Sequence, residues 1–267
     1  MAVGSETIGS VAERVRWSKR MPAFLIDPDQ IQDHRLSFSN DEAHHLRVRR
    51  IRQGEIVDAI DGQGTSYRIR LVLLDGNDAI GEIVEQKQEH AEGQPYLHLA
   101  VAMMKGQRFD TVVEKATEIG VHTIQPLLTE RGVVRGEGKL ERWERIAQAA
   151  AKQCGRSHIP EIAKVMEFDS VVTSFAEREL SLLVADPGAD GSLEENWVPD
   201  SRCLALFIGP EGGFHPRELT CLDSQGACSF IWGHHILRAD TAAIVLSALV
   251  IDRAFRHTGQ VSTYQRV

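Results

Sequence analysis

An apolar run, Cys203 to Ile208, stops at Gly209-Pro210-Glu211-Gly212-Gly213-Phe214, where three glycines surround one acid. Glycines let a ligand approach the main chain closely, and the carboxyl ends of parallel strands are where α/β folds bind ligands. The GxGxxG spacing of a dinucleotide fingerprint is absent, and no Lys-Ser or Lys-Thr follows as in a P-loop. A ligand loop and a tight structural turn both fit these residues. A second joint, Trp232-Gly233-His234-His235-Ile236-Leu237-Arg238-Ala239-Asp240-Thr241-Ala242, leads from another apolar run into a helix for which Asp240 or Thr241 is a natural N-cap. Arg238 stands just before that helix, where it could face a ligand or simply be a solvated side chain beside a cap. Adjacent histidines, His234-His235 and His44-His45, diverge on helices and strands alike, and no Cys or carboxylate set completes a shell around them. No metal site is expected.

Basic residues form a third group. Arg47, Arg49, Arg50 and Arg52 crowd into six residues, interleaved with Val48 and Ile51. They could grip several phosphates bidentately, or form a solvated edge between a helix and a strand. Lys105, Arg108, Arg131 and Arg156 stand at other element ends, where functional side chains gather. Cys154 has no base beside it and reads as a small buried filler. The charge balance bounds the partner. Residues 1–90 hold 12 Lys and Arg against 15 Asp and Glu, net −3, within a chain of net charge −8. A bulk basic nucleic-acid binder is excluded, so any polyanion must meet a local patch.

These residues need elements to hold them. With 267 residues, 42% apolar and 25% charged, the chain has the soluble mixture of one large or two modest domains. Residues 1–20 read as a loose leader without an apolar signal core. From Phe24 to about Gln88, short strands alternate with Gly, Asp and Asn turns, as in a small antiparallel barrel or sheet: Ala23 to Asp27, Glu55 to Ile60, Ser66 to Leu74 and Ala79 to Val84, with one helix from Asp41 to Arg50. The polar stretch from Gln88 to Pro95 marks a domain boundary. Beyond it, apolar runs (Tyr96 to Met104, Thr123 to Leu128, Leu180 to Ala185, Cys203 to Ile208, Ala227 to Trp232) alternate with helical faces. Phe109, Val112, Val113, Ala116 and Ile119 form one face, and Leu140, Trp143, Ile146, Ala147 and Ala150 another. Asp240 to Phe255 is a helix apolar on most sides, either central or at a subunit interface. The fold class is α/β with a mostly parallel sheet. Four cysteines without a paired rhythm, and no span long enough for a bilayer, fit a reducing cytoplasm.

In their order and spacing, several motifs together resemble a known family. They are His44-x₃-Val48-Arg49-Arg50-x₃-Gly54; Asp61-Gly62-x-Gly64; Lys115-Ala116-Thr117-Glu118-Ile119-Gly120-Val121; Pro126-Leu127-Leu128-Thr129-Glu130-Arg131; Gln153-Cys154-Gly155-Arg156-Ser157; Ile208-Gly209-Pro210-Glu211-Gly212-Gly213-Phe214; and Ile236-Leu237-Arg238-Ala239-Asp240-Thr241-Ala242. The chain resembles, from about Phe24 to about Phe255, the RsmE-type 16S ribosomal RNA uridine-N3 methyltransferases of the SPOUT superfamily. It departs from the family pattern at Asp240, where Glu is usual, and at Trp232, where Leu is usual.

The resemblance implies a PUA-like RNA-binding β-barrel over 21–92 and a SPOUT methyltransferase domain over 93–267, the latter with a trefoil knot. It implies S-adenosylmethionine as methyl donor, 16S rRNA of the small ribosomal subunit as substrate, and a homodimer without membrane or metal. On that basis Val184, Ala185, Asp186, Ile208, Gly209, Gly213, Trp232, Gly233, Ile236 and Leu237 would hold the cofactor. Arg238 would stabilise charge on the uracil, with Glu211 as candidate base. Arg47, Arg49, Arg50, Arg52, Lys105, Arg108, Arg131 and Arg156 would hold rRNA. A SPOUT enzyme with another RNA target and a non-catalytic RNA-binding assembly factor are the alternatives.

Overall fold

The structure, a computed structural model, describes residues 22–76, 78–88, 95–134, 139–197 and 203–257. The expected leader, 1–20, and most of the polar stretch between Gln88 and Pro95 lie outside them.

The N-terminal part runs β1 (Phe24–Leu25), a 3-10 turn (Pro28–Gln30), β2 (Ile31–Gln32), β3 (Arg35–Ser37), α1 (Asn40–Val48), β4 (Ile56–Ile60), β5 (Thr65–Asp75) and β6 (Asp78–Gln88). The strands form one sheet in the order β1-β4-β5-β6-β3-β2. Its pairings are antiparallel except β1 with β4. Period-two alternation on β5 sends Tyr67, Ile69 and Leu71 inward onto Phe24, Phe38, Leu46 and Val57. β2 and β3 go unread in the sequence because two or three residues cannot display a period.

The C-terminal part runs β7 (Tyr96–Ala102), α2 (Arg108–Ile119), β8 (Thr123–Leu128), α3 (Leu140–Cys154), β9 (Glu161–Ile162), β10 (Met166–Glu167), α4 (Phe168–Glu177), β11 (Ser181–Ala185), β12 (Cys203–Ile208), α5 (Pro216–Ser224), β13 (Cys228–Phe230) and α6 (Ala239–His257). The sheet order is β10-β8-β7-β12-β11-β13, with β9 also on β8, and each of these pairings is parallel. Both faces are covered, which is why the strands read as unbroken apolar runs. Leu204, Leu206 and Ile208 face a core shared with α2, α3 and α6, while Ala205 and Phe207 face one shared with α4 and α5. α2 stops at Gly120, whose φ of +109° is the left-handed cap that an L side chain resists. α4 and α5 are additional to the helices assigned from sequence. α6 starts two or three residues earlier than an Asp240 or Thr241 cap would have it: Ala242 N donates to Arg238 O at 2.8 Å, so Arg238 is the cap and Asp240 lies in the first turn. Among the described residues, no helix is long and apolar enough to cross a membrane.

The two sheets are joined directly. Ala23 N donates to Lys152 O at 2.8 Å, Gly64 N to Ser157 O at 3.1 Å and Ile159 N to Gly62 O at 3.0 Å. Ala23, Ile60 and Ala151 form a small apolar cluster across the joint.

Candidate active site

Parallel strands place their carboxyl ends along one edge. Val101 pairs with Ile208, Ile208 with Ala185, and Ala185 with Phe230, so the tips of β7, β12, β11 and β13 are level. The turns after β12 and β13 flank the tip of β11. At the usual strand spacing they are about 10 Å apart, which suits a nucleoside lying across β11. The edge collects the main chain of Ala185, Asp186, Gly209, Gly213, Trp232, Gly233, Ile236 and Leu237. Val184 and Ile208 are buried in the core clusters below, so their side chains support the edge rather than face a ligand.

The glycine turn is shaped by its own backbone. Gly213 N donates to Pro210 O at 2.8 Å, closing a β-turn over 210–213. A Cβ on Gly209 would sit 3.1 Å from Phe214 N and 3.3 Å from the Gly213 carbonyl carbon, so any side chain there would force the turn to open by a few tenths of an ångström. Gly213 has φ of +69°. The second turn presents apolar surface instead: Trp232 is 43% exposed and Ile236 81%. Bare amides and carbonyls on one side and exposed apolar side chains on the other suit a flat, mostly uncharged ring. Arg238, with a side chain 62% exposed, follows that second turn at the start of α6, its Nε 3.7 Å from Asp240 Oδ1. A cavity of about 660 Å³ opens beside Asp186 and Ser229, lined also by Asp190, Glu195, Thr220 and Asp223.

The expected catalytic and RNA-facing residues divide sharply. Glu211 is ion-paired with Arg108 at the start of α2, which ties the glycine turn to the loop after β7. Its engaged carboxylate acts as an anchor of that turn. Arg47, Arg50, Arg52 and Lys105 are exposed. Arg49 is committed elsewhere: it donates to Pro22 O at 2.6 Å and lies 4.9 Å from the centre of the Phe24 ring, pinning the chain that enters β1. Arg156, expected on RNA, is 7% exposed and buried under α2. It donates to the carbonyls of Thr117, Val121 and Gly120 at 3.0, 2.9 and 3.2 Å, a cation at a helix C-terminus where the dipole favours it. Arg131 donates to Gly212 O at 2.9 Å and Phe214 O at 3.2 Å, so it too faces the glycine turn. Cys154 is exposed, contrary to the buried filler expected of it. His234 and His235 are exposed, and among the described residues no group of three or more His, Cys, Asp or Glu is placed to hold a metal.

One residue has no place in the sequence reading. Glu218 is 1% exposed and accepts from Glu130 N at 2.8 Å and His215 N at 2.7 Å. Its readable signal is a capping box, His215 at the N-cap with Pro216 first and Glu218 third in α5, unusual in using histidine where Ser or Thr is common.

Known proteins share this arrangement. The family described as RNA methyltransferase domain matches residues 92–251, and RNA methyltransferase PUA domain matches 38–84. The ribosomal RNA small subunit methyltransferase E of Synechocystis sp. is 33% identical over 233 residues, covering 85% of this chain and 76% of that protein. Its namesake from Aquifex aeolicus is 28% identical, covering 79% of this chain and 91% of that one. Among solved structures, a ribosomal RNA small subunit methyltransferase E from Neisseria gonorrhoeae bound to S-adenosyl methionine superposes with a TM-score of 0.78 at 26% identity, covering 86% of this chain and 97% of that one. A methyltransferase from Legionella pneumophila with the same bound cofactor gives 0.75 at 27% identity, covering 88% and 98%.

Proposed function

The chain belongs to the ribosomal RNA small subunit methyltransferase E family, and from that membership we propose that it transfers a methyl group from S-adenosylmethionine to N3 of a uracil in 16S rRNA. The observation that carries the reading is the level row of strand tips, with the closed glycine turn and the Trp232 turn on either side of β11 and the exposed Arg238 directly after the second turn. The residues fit the donor. Gly209 leaves no Cβ in the turn, Gly213 and Gly233 have open space where a Cβ would be, and Trp232 and Ile236 offer apolar cover for adenine.

S-adenosylmethionine supplies, when bound, an activated methyl group on a sulfonium. What the chain must do is place the uracil ring and deal with its proton. Holding two reactants at near-attack geometry is worth up to roughly 7–11 kcal/mol of barrier. Uracil N3 is a poor nucleophile while protonated; its proton passes to solvent water at the exposed edge of the site, and the negative charge left behind spreads onto the flanking carbonyl oxygens. The Arg238 guanidinium donates to those oxygens and stabilises the anionic ring. Arg47, Arg50, Arg52 and Lys105 hold the phosphates that bring the uracil there, so rRNA binding is salt-sensitive.

The remaining features of the proposal follow the family. The chain divides into 21–92, which positions rRNA, and 93–267, which carries the chemistry, and the return of α6 across α2, β7 and β12 after the outermost strand β13 supports a knotted C-terminal part. The half-buried Ile244, Val245 and Leu249 on α6 support a homodimer through that helix. A cytoplasmic setting fits a protein whose relatives act on small-subunit ribosomal RNA.

Purified protein, S-adenosylmethionine and unmodified small subunits should produce a single primer-extension stop in 16S rRNA, because N3 methylation blocks pairing. A stop in tRNA alone redirects the enzyme to another target. Failure of the protein to bind S-adenosylmethionine by calorimetry leaves the non-catalytic assembly factor.

A further inference from the structure

We propose that Arg131 and Glu218 are positioning residues for the methyl-donor turn: they fix the shape of 209–214 from behind, without touching the donor. The inference rests on the donor-site reading above. The turn lies at the tip of β12, and β7 separates it from β8. The loop after β8 nevertheless reaches it by two routes. Arg131 crosses from that loop and donates to the carbonyls of Gly212 and Phe214, the residues on either side of Gly213. Glu218 reaches back from α5 and accepts one backbone N–H from each segment, Glu130 N and His215 N. His215 follows the turn directly, so its amide sets where the turn exits.

The chemistry of both side chains favours a fixed role. A carboxylate buried as deeply as Glu218 is costly unless its hydrogen bonds are well made, and its two oxygens divide between two separate loops. A guanidinium offers several donors in a rigid plane, so one nitrogen of Arg131 can serve two carbonyls that a mobile lysine ammonium would not hold in register. Around them, Glu130 Oε2 lies 3.3 Å from His215 Nδ1 and 3.6 Å from Arg217 Nε, and Arg217 Nη1 donates to Asp169 at 3.0 Å. Arg131 was expected on rRNA from sequence. In the fold its guanidinium is spent on the turn that carries Gly213.

The test compares Arg131→Lys, Arg131→Met and Glu218→Gln with the full-length wild type. Donor affinity is read by calorimetry with S-adenosylmethionine, KM for small subunits at several salt concentrations, and Tm by calorimetric melting. Arg131→Lys keeps the charge, and Glu218→Gln keeps one acceptor oxygen but sets its amide nitrogen against a backbone N–H, so the melts establish the folded fraction of each. Each should weaken donor binding about tenfold, while KM for the RNA substrate and its salt slope stay at the wild-type values. The proposal is overturned if Arg131→Lys or Arg131→Met leaves donor affinity intact and instead weakens RNA binding with a salt slope shallower by about one, the mark of a lost phosphate contact. It is equally overturned if Tm falls while donor affinity, corrected for the folded fraction, is unchanged. Wild-type protein that binds no donor would sink the functional reading itself, which is a different outcome.

Discussion

Lys152, near the end of α3, pairs its ammonium with the carboxylate of Glu42 on α1, so that the N-terminal and C-terminal parts each contribute one charge to a nearly buried ion pair at the joint. Ser39 caps α1 through the Glu42 amide at 3.3 Å, and His45 Nδ1 lies 3.3 Å from the other Glu42 oxygen, which orients the carboxylate toward Lys152. The main chain repeats the contact, with Lys152 O accepting from Ala23 N. A pair of this kind helps fix how the N-terminal part sits on the C-terminal one.

Removing one partner leaves the other charged and out of water. Lys152→Met should therefore cost on the order of 3 kcal/mol, more than an exposed pair ever does. Glu42→Gln combined with Lys152→Met should recover most of that loss, since no bare charge remains. Thermal melts of the two single variants and the double variant check it. Additive losses would show that the pair does not act as a unit.

A stack of histidines lies close to the same joint. His122 and His158 are parallel with ring centroids 4.6 Å apart, and His98 meets His122 edge-on at 5.7 Å. Burial first, then Arg178 and His122, push His98 down to about 4. Burial, then Arg156 and His122, push His158 down to about 4, against a smaller opposing pull from Asp61. His122 is lowered by burial and by Arg156 and Arg178, with Glu161 opposing. The unfolded chain protonates His98 and His158 near pH 6.5, whereas the folded chain resists protonating those two until about pH 4. Stability is then full above pH 6.5 and falls as pH drops from 6.5 toward 4, by a few kcal/mol in total. Tm measured from pH 7.5 to 4.5 should show this slope, and His98→Leu should flatten it. An equally steep slope in His98→Leu would place the acid sensitivity elsewhere.

Gly209→Ala tests the glycine turn at the closest approach it contains. The new methyl would press on Phe214 N and the Gly213 carbonyl carbon, both backbone atoms, so the turn itself must open by a few tenths of an ångström. Affinity for S-adenosylmethionine should drop by about tenfold or more, at a stability cost of roughly 1–3 kcal/mol. Gly212→Ala is the control. Its Cβ would meet only Arg131 Cδ at 3.8 Å, an ordinary contact, and donor binding should survive. Equal tolerance of both changes would mean that the turn is not held to the shape inferred here.

Much of this site was legible because the local signals were strong. The apolar run of β12 followed by glycines marked a strand tip, and parallel pairing then carried Gly209, Ala185 and Trp232 to one edge. Arginine defeated the same reasoning, because sequence gives its position but not its partner. Arg156, one residue after Gly155, could as easily have faced solvent, and only the packing of α3 against α2 turns it onto three carbonyls. Arg49 and Arg131 are equivalent cases, each satisfied by main chain distant in sequence. Glu218 carried a weak local signal and no hint of Glu130, 88 residues away, whose amide it accepts. Long-range hydrogen bonds of this kind belong to the topology, which no window of sequence displays.

Arg238 differs from those three arginines in having no carbonyl partner among its described contacts and only a distant carboxylate, Asp240 at 3.7 Å. Its backbone is fixed at the N-cap of α6, since Ala242 N donates to its carbonyl, while the side chain is 62% exposed beside the second turn. A donor placed there gains most of its effect when charge develops on the acceptor ring, so Arg238→Ala should lower kcat by about a hundredfold and leave the affinity for S-adenosylmethionine within a few-fold of wild type. Arg238→Lys should restore part of kcat, because an ammonium still supplies positive charge but cannot offer two planar donors to a pyrimidine. Single-turnover methylation of small subunits, paired with calorimetric donor binding, separates the two effects. If both fall in proportion in Arg238→Ala, the side chain serves the donor site and the uracil anion must be stabilised by another group.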